Sequence, residues 1–189
     1  MTNHSALLRM GFLILAFTTG VPAAAQSASA SRPQWREPRI IFIDPPTQRA
    51  RDTIMWAVDR YRQADLQLPD LSISFPEYCS GKAALYHVGH NAIDFCFVNK
   101  HTMLHELAHA WDDTSGAVDR KAFLQLRGLH VWWGGVDMPS SQQGAEQLAQ
   151  IIDWGLSTAD SRPIPQIPRN SPAELKTAFG LLTRGVVAV

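Results

Sequence analysis

Apolar positions recur along this chain with two periods, and the change from one to the other divides it. Ile40 to Ile43 is a short apolar run stopped by Asp44-Pro45-Pro46, which predicts a first strand. From about Thr47 to Asp65, the residues Ala50, Ile54, Ala57, Val58 and Tyr61 recur at helical spacing, with Arg and Asp on the other side. Leu71, Ile73 and Phe75 alternate with serines, the pattern of a half-buried strand, and Pro76 closes it. Ala83 to Val88 and Ala92 to Val98 flank Gly89-His90-Asn91, a turn able to supply positive φ. That predicts a hairpin with Ile93, Phe95 and Phe97 on one face of its second arm.

Beyond the hairpin the helical period takes over. In His101 to Asp113, Leu104, Leu107, Ala108 and Trp111 form a core-facing stripe, and Asn99 or Thr102 can cap the start. Ala117 to Leu126 predicts a second helix in this half, ended by Gly128 after Arg127. His130-Val131-Trp132-Trp133-Gly134-Gly135 is irregular and aromatic, either a tucked loop with buried indoles or a wall of a cleft. Ser140 to Leu156 predicts another helix, with Ala145, Leu148, Ala149, Ile152 and Leu156 inward and Glu146, Gln150 and Asp153 along the border. Pro163, Pro165 and Pro168 make Ser161 to Asn170 a connector. Ser171-Pro172-Ala173-Glu174 then opens a last helix with a capping box and proline in the first turn. The expected class is α+β: a small mixed sheet with a hairpin packed on the helix around residues 101–113, followed by a helical C-terminal part.

The N-terminus changes the compartment. Arg9, the apolar run Met10 to Phe17 and Ala23-Ala24-Ala25 predict an export signal over residues 1–25, cleaved near Ala25. The run is shorter than the ~20 residues a spanning helix needs. Residues 26–38 follow as a loose segment rich in Ser, Ala and Arg, and 39–189 as one domain with a real core. The expected protein is periplasmic or secreted, with no membrane span after cleavage. Removing Arg9 from 17 basic residues leaves 16 against 17 acidic, a balance that argues against nucleic acid or an anionic membrane as partner. Cys79 and Cys96 are an even pair in an oxidising compartment, so a disulfide is expected. A zinc site built from Cys79, His87, His90 and Cys96 is the alternative, although its spacing matches no familiar pattern.

The chemistry sits at His105-Glu106-Leu107-Ala108-His109, an H-E-x-x-H motif. On a helix, histidines four apart lie on one face and can share a metal, while Glu106 sits beside the metal where it can take a proton from bound water. Such a motif arises by chance in about one chain in a hundred of this length. The competing reading is an amphipathic helix with two surface histidines.

Strand, helix, strand, hairpin and then an H-E-x-x-H helix resembles the zincin metallopeptidases, over about Arg39 to Leu156. The resemblance implies a mixed sheet over the motif helix, an edge strand that receives an extended protein or peptide substrate, and Zn2+ as cofactor. It implies that His105 and His109 bind zinc and that Glu106 is the general base. A catalytic zinc usually takes three protein ligands. The metzincin pattern would place a third histidine at position 115, where this chain has Ser115, and glycine where it has Asp112, so that branch is excluded. A gluzincin-like pattern takes a glutamate from a later helix, which fits Glu146; its alternatives are a solvated helix charge there, or Asp119 as ligand, since Gly116-Ala117-Val118-Asp119 resembles an aspartate-using branch. Asp112 is a candidate to orient His109 or a neighbour, and Tyr86, Arg127 and His130 are candidates for the transition-state donor. Two functions follow as expectations: an exported zinc endopeptidase, or a zincin-like metal-binding domain without turnover that serves structure or a partner.

Overall fold

A computed structural model describes residues 35–135, 137–186 and 188. The predicted export signal and its cleavage site lie outside these residues, as does residues 26–34 of the predicted loose segment. Its remainder is held in place: the Arg36 backbone N–H donates to Gln67 Oε1 (2.8 Å), and the Arg36 guanidinium meets Asp70 (2.8 Å). Among the described residues no helix is long and apolar enough to cross a membrane.

The strands are β1 (Ile40–Phe42), β2 (Leu71–Ser74), β3 (Ala84–His87) and β4 (Ala92–Phe95), with helix α1 (Gln48–Gln63) between β1 and β2. Among the described residues five α-helices accompany the four-stranded mixed sheet, so the class is α+β. Sheet order is β1-β2-β4-β3, parallel across β1–β2 and β2–β4 and antiparallel across β3–β4. Period-2 alternation turns Leu71, Ile73, Ala84, Tyr86, Ile93 and Phe95 to the core and leaves the serines of β2, His87 and Asp94 on the other face. There Asp94 ties two strands together, accepting from Ser74 Oγ and meeting His87 Nε2 (2.9 Å).

The hairpin turns where predicted, with Gly89 at φ +77° and Asn91 at +49°, both in the left-handed region. Its second arm is shorter than its pattern suggested. The Cys96 and Phe97 N–H groups both donate to the Ala83 carbonyl (3.0 and 2.8 Å). Two residues facing one acceptor break the alternation, and Phe97 ends 63 % exposed instead of joining Ile93 and Phe95 inside. Cys79 and Cys96 are disulfide-bonded, with Cα atoms 5.8 Å apart. The alternative zinc site at Cys79, His87, His90 and Cys96 is thereby overturned, because bonded sulfurs offer no thiolates.

Helix α2 (Lys100–Ser115) starts where Asn99 accepts from the Thr102 N–H and ends at Gly116 in the left-handed conformation. Its stripe of Leu104, Leu107, Ala108 and Trp111 is buried against α1 and the sheet. Then come α3 (Arg120–Arg127), α4 (Gly144–Leu156) and α5 (Pro172–Leu182). The predicted helix 140–156 is really a single 3₁₀ turn, Ser140–Gln142, followed by a fresh start at Gly144. That start is held from outside: the Gly144 and Ala145 N–H groups donate to the Val131 and Trp132 carbonyls (2.9 and 3.0 Å). The aromatic loop is thus fixed across the first turn of α4, the turn that carries Glu146. The capping box at Ser171 and Glu174 forms as its sequence predicts.

Candidate metal centre

Two helices build the site. His105 and His109 lie one turn apart on the polar face of α2 and turn their Nε2 atoms toward each other, 3.3 Å apart. Glu146, on the first turn of α4, closes the third side, with Oε2 3.4 Å from His105 Nε2 and Oε1 3.6 Å from His109 Nε2. One ligand atom from each residue falls within 4.8 Å of the others, so the group can hold a metal ion. The His109 side chain is 4 % exposed, against 23 % for His105 and 25 % for Glu146, so the group is seated on the core and opens through two members. His109 Nδ1 is buried with no hydrogen-bond partner, which leaves Nε2 as that ring's only polar engagement.

Charge states follow the packing. Burial, then the neighbouring His105, push the His109 imidazole well below its ordinary range, so its ring is held neutral. Burial alone would raise the Glu146 carboxyl, but the His105 hydrogen bond and both imidazoles pull it far down, so it stays ionised. The positive end of α4 favours the same state. A neutral imidazole and a carboxylate are the forms that ligate; at His105 burial acts against the charged form, but the Glu146 hydrogen bond and the nearby carboxylates outweigh it and raise the pKa, so a metal would have to displace a proton there.

Glu106 faces the same cleft beside this group and is not a member of it. The residue is 8 % exposed, and the Tyr86 backbone N–H is among the groups that favour its ionised form. Burial raises its pKa, with Glu146 adding to the effect. The cleft is open and encloses about 920 Å³. One wall is β3, which pairs with β4 on its other side only, and the opposite wall includes Trp133 and Met138.

The structure separates the remaining candidates. Asp119 caps α3, accepting from the Ala122 N–H (2.9 Å), and stands apart from the group. Asp112 does not orient His109: its carboxylate takes the Arg120 guanidinium and the Trp132 indole N–H (2.9 Å), fixing α3 and the aromatic loop. Tyr86 gives its hydroxyl to Asp113 (2.8 Å). Arg127 is buried, donating to Gln147 (2.7 Å) and to the carbonyls of Pro168 and Arg169, and His130 is exposed; neither lines the cleft. The aromatic loop answers to both readings, since Trp132 packs on Phe123 while Trp133 lines the cleft 5.2 Å from His109.

Two cleft residues went unread. His101 lies one turn before His105 and meets Asp153 (3.1 Å), itself seven residues past Glu146 on α4. The spacing 101, 105, 109 was present in the sequence, and a stripe of histidines at i, i+4, i+8 is the signal that exposes it. No protein family, curated protein or solved structure matches the chain, so what this site does has to follow from its own residues.

Proposed function

We propose that the chain is an exported, zinc-dependent, zincin-like metallopeptidase, with His105, His109 and Glu146 as zinc ligands and Glu106 as general base. The observation that carries this reading is the convergence of two imidazole nitrogens and a carboxylate from separate helices, with a further buried carboxylate beside them in an open cleft. Zinc fits the donor set. Two imidazole nitrogens and a carboxylate oxygen are ligand types zinc takes, and one such atom from each residue lies within 4.8 Å of the others. The mixed sheet with its antiparallel edge strand beside the motif helix, and the disulfide, support the zincin-like and exported parts of the proposal.

Zinc bound there would polarise a scissile carbonyl and bring the pKa of bound water toward ~7. The chain supplies the rest. The free edge of β3 offers backbone groups to an extended peptide. Glu106, which lines the cleft with that strand, takes a proton from the attacking water and returns it to the departing amine. Trp133 and β3 line the cleft around the reacting centre.

The test is metal analysis and peptide-library cleavage of the purified protein with two variants. Glu106→Gln should keep about one zinc per chain and lose ~10²-fold or more in turnover. Glu146→Gln should lose zinc affinity along with turnover. A wild type that takes up no zinc on titration overturns the site assignment, and a Glu106→Gln variant of unchanged activity overturns the mechanism. The second reading, a zincin-like metal-binding domain without turnover, is favoured by one observation: the hydroxyl and guanidinium candidates for a transition-state donor are all committed elsewhere. Bound zinc with no cleavage by the wild type decides for it.

A further inference from the structure

The cleft carries one lysine and no arginine. Among the described residues lining it, Glu106, Glu146 and Asp153 are acidic, and Lys82 is the sole side chain of permanent positive charge. Lys82 stands at the head of β3, the strand proposed to receive the peptide. Its exposed side chain makes no hydrogen bond or ion pair among the described residues, although Glu106, His109 and Glu146 all feel its charge.

Its placement is fixed by the backbone. The Lys82 N–H donates to the Cys79 carbonyl (2.9 Å), closing a turn in which Ser80 and Gly81 take positive φ (+51° and +79°). Cys79 is bonded to Cys96, and the next residue, Ala83, receives the paired N–H groups of Cys96 and Phe97. The turn therefore sets an exposed cation on the lining of the cleft, with no partner among the described residues. An unpaired ammonium there is complementary to a ligand that brings a negative charge of its own.

We infer that Lys82 is a specificity-determining residue that binds a carboxylate on the peptide substrate, close to the scissile bond. This rests on the peptidase reading and narrows it to acidic peptides or to peptides cut near a free C-terminus. The carboxylate is the shared chemistry, and two peptide series separate its sources: C-terminal acid against amide, and Glu against Gln beside the scissile bond.

The zinc-loaded wild type, Lys82→Gln and Lys82→Arg are compared on both series. Binding of the same peptides to Glu106→Gln, alone and combined with Lys82→Gln, is followed by calorimetry as a readout free of turnover. The expected result is a preference of about fivefold for the charged member of one series, seen in KM and Kd with kcat little changed. Lys82→Gln should erase that preference, Lys82→Arg should keep it, and added salt should weaken it. Because Lys82 is exposed, these variants leave the core and the metal group intact, and zinc content checks this. A wild type that cleaves charged and neutral peptides equally, or a preference that survives Lys82→Gln, overturns the inference and leaves the peptidase reading standing. A wild type that neither binds nor cleaves any peptide overturns both.

Discussion

Asp112 has no solvent to fall back on. Its side chain is 0 % exposed, and its partners are the Arg120 guanidinium at 3.2 Å and the Trp132 indole N–H at 2.9 Å. Its removal leaves the Trp132 indole N–H without its acceptor, while Arg120, 41 % exposed, turns to solvent, so Asp112→Ala should lower the unfolding free energy by about 1–2 kcal/mol. Urea denaturation measures it, and a change within ~0.5 kcal/mol would show that the carboxylate holds nothing. The sequence places Asp112 on the ligand face of its helix, where it looked like an orienting partner for His109. Which neighbour it takes depends on residues eight and twenty positions later, and no local spacing encodes that. Glu146 differs in kind: its position on the border of an amphipathic helix was legible from the pattern, whereas its pairing with the motif came through the resemblance.

Helix α4 comes closest to α5 at Gly155. A Cβ placed on Gly155 would lie 2.2 Å from two carbons of the Phe179 ring, which is itself 1 % exposed and cannot swing clear. Gly155→Ala should therefore destabilise the protein by about 1–3 kcal/mol through overpacking, outweighing the ~1 kcal/mol that alanine gains over glycine within a helix. Thermal unfolding gives the sign, and a raised Tm would refute the packing account. At this scale the sequence speaks most clearly where an element ends. Asn99, Gly128 and the Ser171–Glu174 box are local hydrogen-bond chemistry and form as read. It speaks less clearly where tertiary pairing intervenes. The bulge opposite Ala83 that exposes Phe97, and the restart of α4 against the Val131 and Trp132 carbonyls, both depend on a distant partner strand or loop.

For the molecule as a whole, the Cys79–Cys96 bond is the one covalent constraint among the described residues beyond the chain itself, across a sequence separation of 17. Chain-entropy reasoning gives such a loop ~3 kcal/mol of stabilisation. The Cys79→Ala, Cys96→Ala double variant should lose about that much in urea, while the metal group, built on α2 and α4, keeps its zinc affinity. Loss of zinc at a concentration of denaturant where the variant is still folded would mean that the hairpin supports the site more directly. The α+β class and the hairpin were legible because period 2 and period 3.6 are local signals. The order β1-β2-β4-β3 was not, since parallel pairing of β2 with β4 leaves no mark on either strand's own pattern.

That strand order has a consequence for how the protein can change over time. β4 lies inside the sheet and hands the chain to α2 through residues 96–99 alone, which hold a disulfide sulfur, a bulge and a helix cap. An insertion there would displace both histidines together. The stretch 158–166 instead runs between α4 and α5, and its Gln166 contributes to the cleft rim. Sequence drift and loop grafting have their latitude in that stretch, and almost none at the junction that aims the motif helix.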